Sequence, residues 1–180
     1  KPGLIPADDF KAIIDYFVPD INIEETKIPF RAVATDLLTG DKIIFSEGSL
    51  RKAVLASCAV PGAVEPIKEG NHLLADGGVV SLVPVHAARE SGAEIVLAVV
   101  VDIDIRLWDD FKTAKGIFYR AGEITIQKLL NYELKDADVI IRPDVGTLHW
   151  TDFSRIDYLE KEGERAAREA IARIDEALPF

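Results

Sequence analysis

The feature that most limits the fold is the run Ile95-Val96-Leu97-Ala98-Val99-Val100-Val101, seven consecutive apolar residues and mostly β-branched. It is too short to cross a membrane, which takes about 20 apolar residues. Glu94 to Val101 is expected to be a β-branched buried strand. Val85 to Ser91 in front of it has helical spacing and Gly92 stops that helix. A helix followed at once by a buried strand is the pattern of a parallel α/β sheet. The expected fold class is therefore α/β, a three-layer and mostly parallel sheet with helices on both faces.

The remaining elements fit this frame. Asp8 or Asp9 is expected to cap a helix running to Phe17, with Phe10, Ile13, Ile14 and Phe17 on one face. Phe30 to Leu37 reads as a strand, Thr39-Gly40-Asp41 as its turn, and Lys42 to Phe45 as an antiparallel return. Leu50 to Ser57 is a short apolar helix ahead of Pro61-Gly62, and His72 to Ala75 a brief strand. A long helix is expected within Phe111 to Leu134, starting or interrupted near Gly116, then a buried strand Val139 to Ile141 and an amphipathic helix from Ile156 to Leu178. No strand is expected before Phe30, so the opening strand of a doubly wound domain is missing from the reading. The 180 residues are read as one domain, 1–180, without internal repeats.

Charge and composition remove several functions. A formal charge of −10, from 31 acidic and 21 basic residues, argues against a nucleic-acid partner. Lipid contact would rest on an apolar patch, so peripheral membrane contact is allowed but long-range attraction to an anionic surface is not expected. The single cysteine forbids an internal disulfide, and no basic-then-apolar leader opens the sequence, so the expected location is cytoplasmic. There is no methionine and Lys1 comes first, from which an upstream segment is expected.

Chemistry concentrates at Leu73-Leu74-Ala75-Asp76-Gly77-Gly78. An apolar strand delivers a carboxylate at its C-terminal end, where open α/β sheets place their sites. The two glycines permit positive φ or the close approach of another group. Taken alone, Asp-Gly is more often the signature of a plain turn. Asp36, Asp102 and Asp104 also follow apolar strands, so a carboxylate cluster holding magnesium is a rival reading. A non-catalytic binding or assembly module is the third. Ser57 reads as a helix-end residue, Cys58 as an inert buried thiol, and His72, His86 and His149 lack metal spacing. An extended strand holds positions 72 and 76 about 13 Å apart, which separates His72 from Asp76.

An ordered set of segments carries a family resemblance. It comprises Ile28-Pro29-Phe30, Ala34-Thr35-Asp36-Leu37-Leu38-Thr39-Gly40, Ala56-Ser57-Cys58-Ala59-Val60-Pro61-Gly62, Ala75-Asp76-Gly77-Gly78, Val83-Pro84-Val85 and Ser91-Gly92-Ala93. Ala137 to Pro143 and Trp150-Thr151-Asp152-Phe153 extend it. In this order the segments resemble the patatin-like phospholipases, in particular compact bacterial members, and the chain resembles the C-terminal portion of such an α/β hydrolase domain. The resemblance implies a serine–aspartate dyad acting on lipid or other acyl esters, with no cofactor and no metal. Asp76 matches the aspartate that serves as base, and Gly77 and Gly78 the glycines that support it. The serine of the family's Gly-x-Ser-x-Gly elbow is absent: Ser46, Ser49, Ser57, Ser81, Ser91 and Ser154 all lack that flanking. The glycine-rich oxyanion loop is absent too, and Ser81-Leu82 stands where the family often has asparagine. The expectation is thus the base-bearing part of a hydrolase whose nucleophile lies in a missing N-terminal segment. Neither the lipid nor the oligomeric state can be read from the sequence.

Overall fold

The computed structural model describes residues 2–101, 112–146, 148, 152 and 154–178. The chain forms two compact units, Lys1–Leu82 and Val83–Phe180.

In the first unit, β1 (Gly3–Ile5) runs parallel to β4 (Gly62–Val64), pairing Gly3 with Gly62 and Ile5 with Val64. This strand corrects the expectation of none before Phe30. It is only three residues long between Pro2 and Pro6, too short to show a period. Helix α1 (Ala7–Phe17) starts directly after Pro6, and neither Asp8 nor Asp9 caps it by side chain. Both sit in the first turn, where their charge favours the helix dipole. Helix α2 (Leu50–Ser57) is capped by Ser49, whose hydroxyl accepts from Lys52 N–H at 3.4 Å. Arg51 joins the two helices, donating to the Val18 carbonyl at 2.8 Å and the Asp15 carbonyl at 2.9 Å.

A four-stranded sheet follows, ordered β3 (Lys42–Phe45), β2 (Ala32–Asp36), β6 (His72–Asp76), β5 (Ile67–Glu69). All three pairings in it are antiparallel. The parallel pairing expected from the sequence is found in β1 with β4 and in the second unit, so the protein is mixed α/β. The β5–β6 hairpin escaped the sequence reading although its signal was there. Glu69 pairs with His72 across a two-residue Gly70-Asn71 loop, and Gly70 at φ 58° takes the conformation such a tight turn demands of its first residue. All five residues of β2 are buried. One side of the sheet packs Ala34 and Leu74 on Ala56 of α2, with Ile43, Phe45 and Ile67 closing round them. Ile23, Ala32, Leu50 and Ala53 form a neighbouring cluster.

In the second unit, β7 (Leu97–Val99) and β8 (Val139–Ile141) pair in parallel, Leu97 with Val139 and Val99 with Ile141. Helix α3 (Val85–Glu90), helix α4 (Ala114–Glu133) and the turn after it bury Val85, Leu130 and Leu134 against Val96, Ala98 and Val100. Thr113 caps α4 by accepting from Gly116 N–H at 2.9 Å. Helix α5 (Ile156–Ala177) lays Ala166 and Ala170 on Val139 and Ile141, and keeps its Arg165 and Arg168 ion pairs with Glu162, Glu169 and Glu164 on the wet face. Among the described residues, no helix is long and apolar enough to cross a membrane.

Candidate active site

Strands β2 and β6 bring the chemistry together because their ladder is buried and fixed in register. Ala34 pairs with Asp76, Thr35 with Ala75 and Asp36 with Leu74. In an antiparallel pair this places Asp76 and Asp36 at opposite ends of the ladder. Thr35 is a polar residue in a buried strand, 1% exposed, and its hydroxyl donates to the Asp76 carbonyl at 2.9 Å. Asp76 N–H donates to the Ala59 carbonyl, also at 2.9 Å. The main chain at Asp76 is therefore held by β2 on one side and by the segment after α2 on the other.

The side chain is held far more lightly. Asp76 Oδ1 accepts from Gly78 N–H at 2.7 Å, capping a short 3₁₀ turn over Gly77–Val79. Its Oδ2 has no hydrogen-bond partner among the described residues. Burial pushes the carboxyl up from its ordinary value, and the Gly78 N–H only partly opposes that. A half-buried carboxylate with raised proton affinity and a free oxygen is equipped to take a proton from a neighbouring hydroxyl.

The two glycines have different reasons to be there, and neither has positive φ. Gly77 is buried, and a Cβ on it would collide with the Val33 carbonyl. The expected alternative of close approach is the one realised: β2 comes too near for any side chain. At Gly78 a Cβ would stand 3.1 Å from Asp76 Oδ1. Ser81, where the family often has asparagine, is buried and donates its N–H to the Gly77 carbonyl at 2.8 Å, closing the turn.

Other candidates fall elsewhere. Asp36, 1% exposed, accepts from Leu38 N–H at 3.0 Å and Leu73 N–H at 3.2 Å, and meets His72 Nδ1 at 2.7 Å. With His72 and the backbone amides holding its charged form, its carboxyl lies below the ordinary value. His72 thus serves the far end of β6 from Asp76. Asp102, Asp104 and His149 lie outside the described residues, and no cluster of three or more metal-binding side chains occurs among those described. His86 Nε2 lies 2.7 Å from Asp136 Oδ2. Ser57 is the last residue of α2, as expected. Cys58 corrects the sequence reading: it is exposed, not buried, because it sits at the C-terminal cap just after the helix turns out of the core. Its thiol is pushed up by desolvation and by the negative charge of Asp76, which keeps it from being a ready nucleophile.

The sequence reading missed Thr35 and Ala59 as supports of Asp76. The one available signal was Thr35-Asp36, two polar residues inside a segment otherwise apolar enough to be core.

Residues 1–89 match the patatin-like phospholipase family. An uncharacterised NTE family protein of Mycobacterium tuberculosis is 36% identical over 97 residues, 54% of this chain and 27% of that protein. A second such protein of the same species is 27% identical over 188 aligned positions, 88% of this chain and 31% of that protein. Patatin-like phospholipase domain-containing protein 7 of Mus musculus is 35% identical over 187, again 88% of this chain but 14% of that protein. The chain spans less than a third of the length of each of these relatives.

Proposed function

Since this chain belongs, through residues 1–89, to the patatin-like phospholipase family, we propose that it is the base-bearing portion of a lipid acyl hydrolase domain. Asp76 is its general base, and the nucleophile is a serine not present in these 180 residues. The observation that carries this is the Asp76 carboxyl. It is anchored through one oxygen to Gly78, open at the other, and raised in proton affinity by burial.

The reaction runs in two halves. The serine hydroxyl attacks the ester carbonyl carbon as its proton passes to Asp76 Oδ2. The tetrahedral intermediate then collapses, the alcohol leaves with a proton returned by Asp76, and an acyl-serine remains. Water attacks the acyl carbon with the same carboxylate accepting its proton, and the acid is released with the serine restored. A carboxylate serves here without histidine because its raised proton affinity narrows the gap to the hydroxyl it must deprotonate. Gly77 fixes the approach of the carboxylate to β2, and Gly78 donates to it without placing a side chain in the substrate's path.

Fluorophosphonate labelling tests the reading. The 180-residue chain is expected to remain unlabelled and inactive on p-nitrophenyl esters, because an acyl-enzyme needs nucleophile and base together. The same chain expressed with the polypeptide encoded ahead of Lys1 is expected to label on the serine of a Gly-x-Ser-x-Gly. Stoichiometric labelling of any of the six serines in this chain would show the nucleophile misplaced. Absence of labelling in both forms would favour a non-catalytic binding module.

A further inference from the structure

The hydrogen bonds of the β2–β6 ladder pass over Asp76. Leu37 N–H donates to the Leu73 carbonyl at 2.8 Å. In an antiparallel pair, bonded and non-bonded positions alternate, so Thr35 with Ala75 is again a bonded pair and Ala34 with Asp76 is not. The backbone groups of Asp76 therefore point away from β2, and its N–H is taken up by the Ala59 carbonyl at 2.9 Å. Its carbonyl is met instead by a side chain of β2, the Thr35 hydroxyl, at 2.9 Å. Asp76 shares a sheet face with Ala34, and Thr35 belongs to the other face. Thr35 thus holds the main chain of Asp76 from the face opposite the carboxylate.

That carbonyl belongs to the peptide joining Asp76 to Gly77. The tilt of this plane sets where the next amide, Gly78 N–H, stands, and Gly78 N–H donates to Oδ1 at 2.7 Å. On its Gly77 side the chain already lies so close to β2 that a Cβ would collide with the Val33 carbonyl. Valine would fill the space of Thr35 as well, so the hydroxyl is what threonine adds at this position. We propose that Thr35 is the positioning residue of the base: its hydroxyl fixes the Asp76–Gly77 peptide so that Gly78 N–H engages Oδ1 and Oδ2 is left to accept the serine proton. This inference rests on the dyad reading for what the carboxylate does, and on the β2–β6 register for how it is held.

Kinetics of the chain expressed with the polypeptide encoded ahead of Lys1, and carboxyl NMR of the 180-residue chain, test it together. Thr35→Val is expected to lower kcat by about 10- to 100-fold with KM near wild type, which marks a misaligned base rather than weaker binding. The acid limb of kcat/KM is expected to move to higher pH, because the Gly78 N–H that favours the charged form is no longer aligned. Thr35→Ser keeps the donor and is expected to restore both. Thr35→Ser against Thr35→Ala, which differ by the hydroxyl alone, repeats the comparison if Thr35→Val does not fold. In an Asp76→Asn background, Thr35→Val is expected to cost less than about twofold in kcat, since the group it positions no longer takes a proton. An equal cost in both backgrounds would overturn the proposal by showing a merely structural role. The carboxyl carbon of Asp76 is expected to titrate at higher pH in Thr35→Val and as wild type in Thr35→Ser. An unmoved titration would sink the positioning role and leave the dyad standing. A moved titration beside an Asp76→Asn that turns over normally would do the reverse.

Discussion

Asp36 and Asp76 are carboxylates of the same type, on adjacent strands of one buried ladder, and their surroundings pull them in opposite directions. At the closed end, Asp36 is held by two backbone N–H groups and His72, and its carboxyl is lowered. At the open end, Asp76 is held by one N–H, and burial raises it. Burial alone does not decide a carboxylate's role; the number of donors that meet its charge does. A fully satisfied buried charge is a structural clamp, and one left half-satisfied retains affinity for a proton. Leaving a buried carboxylate half-satisfied costs stability.

The comparison is broken most sharply by turnover. Asp76→Asn keeps shape and removes the proton acceptor, so in the labelled, active form turnover is expected to fall by about 10²–10⁴-fold. Asp36→Asn is expected to leave turnover near wild type in whatever fraction folds, because Asp36 transfers no proton. Steady-state rates on variants corrected for folded fraction check this. If Asp36→Asn abolishes turnover and Asp76→Asn spares it, the carboxylate-cluster reading replaces the dyad. The acid limb of kcat/KM in wild type is expected above the ordinary aspartate value of about 3.9, since the base must be ionised to act.

Stability reverses the ranking. Asp36→Ala strips a buried acceptor from Leu38 N–H, Leu73 N–H and His72 at once, and is expected to lower the melting temperature by about 3–8 °C. Asp76→Asn removes a charge that burial disfavours and is expected to leave the melting temperature unchanged or higher. Calorimetry at neutral pH decides it, and a larger loss for Asp76→Asn than for Asp36→Ala would undo the clamp-and-base distinction.

The glycines sharpen it further. Gly77→Ala forces a Cβ into the Val33 carbonyl and is expected to cost about 1–3 kcal/mol, read by urea unfolding. Gly78→Ala meets only a 3.1 Å contact at Asp76 Oδ1 and needs no positive φ. Its reduced unfolded-state freedom offsets part of the strain, so its stability loss is expected to be smaller than that of Gly77→Ala. A larger loss at Gly78 would mean that the turn, not the β2 contact, governs this corner.

Much of this was legible in the sequence, for identifiable reasons. Lys42–Phe45, Leu50–Ser57 and Val139–Ile141 fall on the residues expected, because each is bounded by its own turn or cap signal. Asp76 was singled out because an apolar strand delivers it at a strand end, although Asp-Gly alone reads as a plain turn; its position on β6 is what the sequence placed. Strands β1 and β4 were not legible, since a three-residue strand shows no period; β5 was announced only by the Gly70-Asn71 turn that follows it. The direction of β2 against β6 was not legible either. Antiparallel and parallel pairing of buried apolar strands read alike when other elements, here residues 37–71, separate them. The exposure of Cys58 was hidden for a related reason: its neighbours are apolar, but the helix ends one residue earlier and turns it outward.

The smallest expected effect is also the one that isolates the two carboxylates from every other contact: how each contributes to stability as pH changes. Asp36 is lowered on folding, so the folded state binds its proton less tightly than the unfolded chain does. Its contribution is therefore complete above the ordinary value of about 3.9 and is lost as pH falls through the lower folded value. Asp76 is raised, so folding favours its protonated form. Its protonated form contributes fully below about pH 3.9, and that contribution is lost as pH rises through the raised value. Two difference curves follow from urea unfolding at stepped pH. Wild type minus Asp36→Asn should be positive at neutral pH and shrink on acidification below about pH 4. Wild type minus Asp76→Asn should be least favourable at neutral pH and become more favourable as pH falls toward about 4. Because the slopes are opposite, a global acid unfolding common to all variants cancels from the comparison. Parallel slopes would mean that both carboxylates are satisfied alike, and the free oxygen on Asp76 would then have a partner in solution.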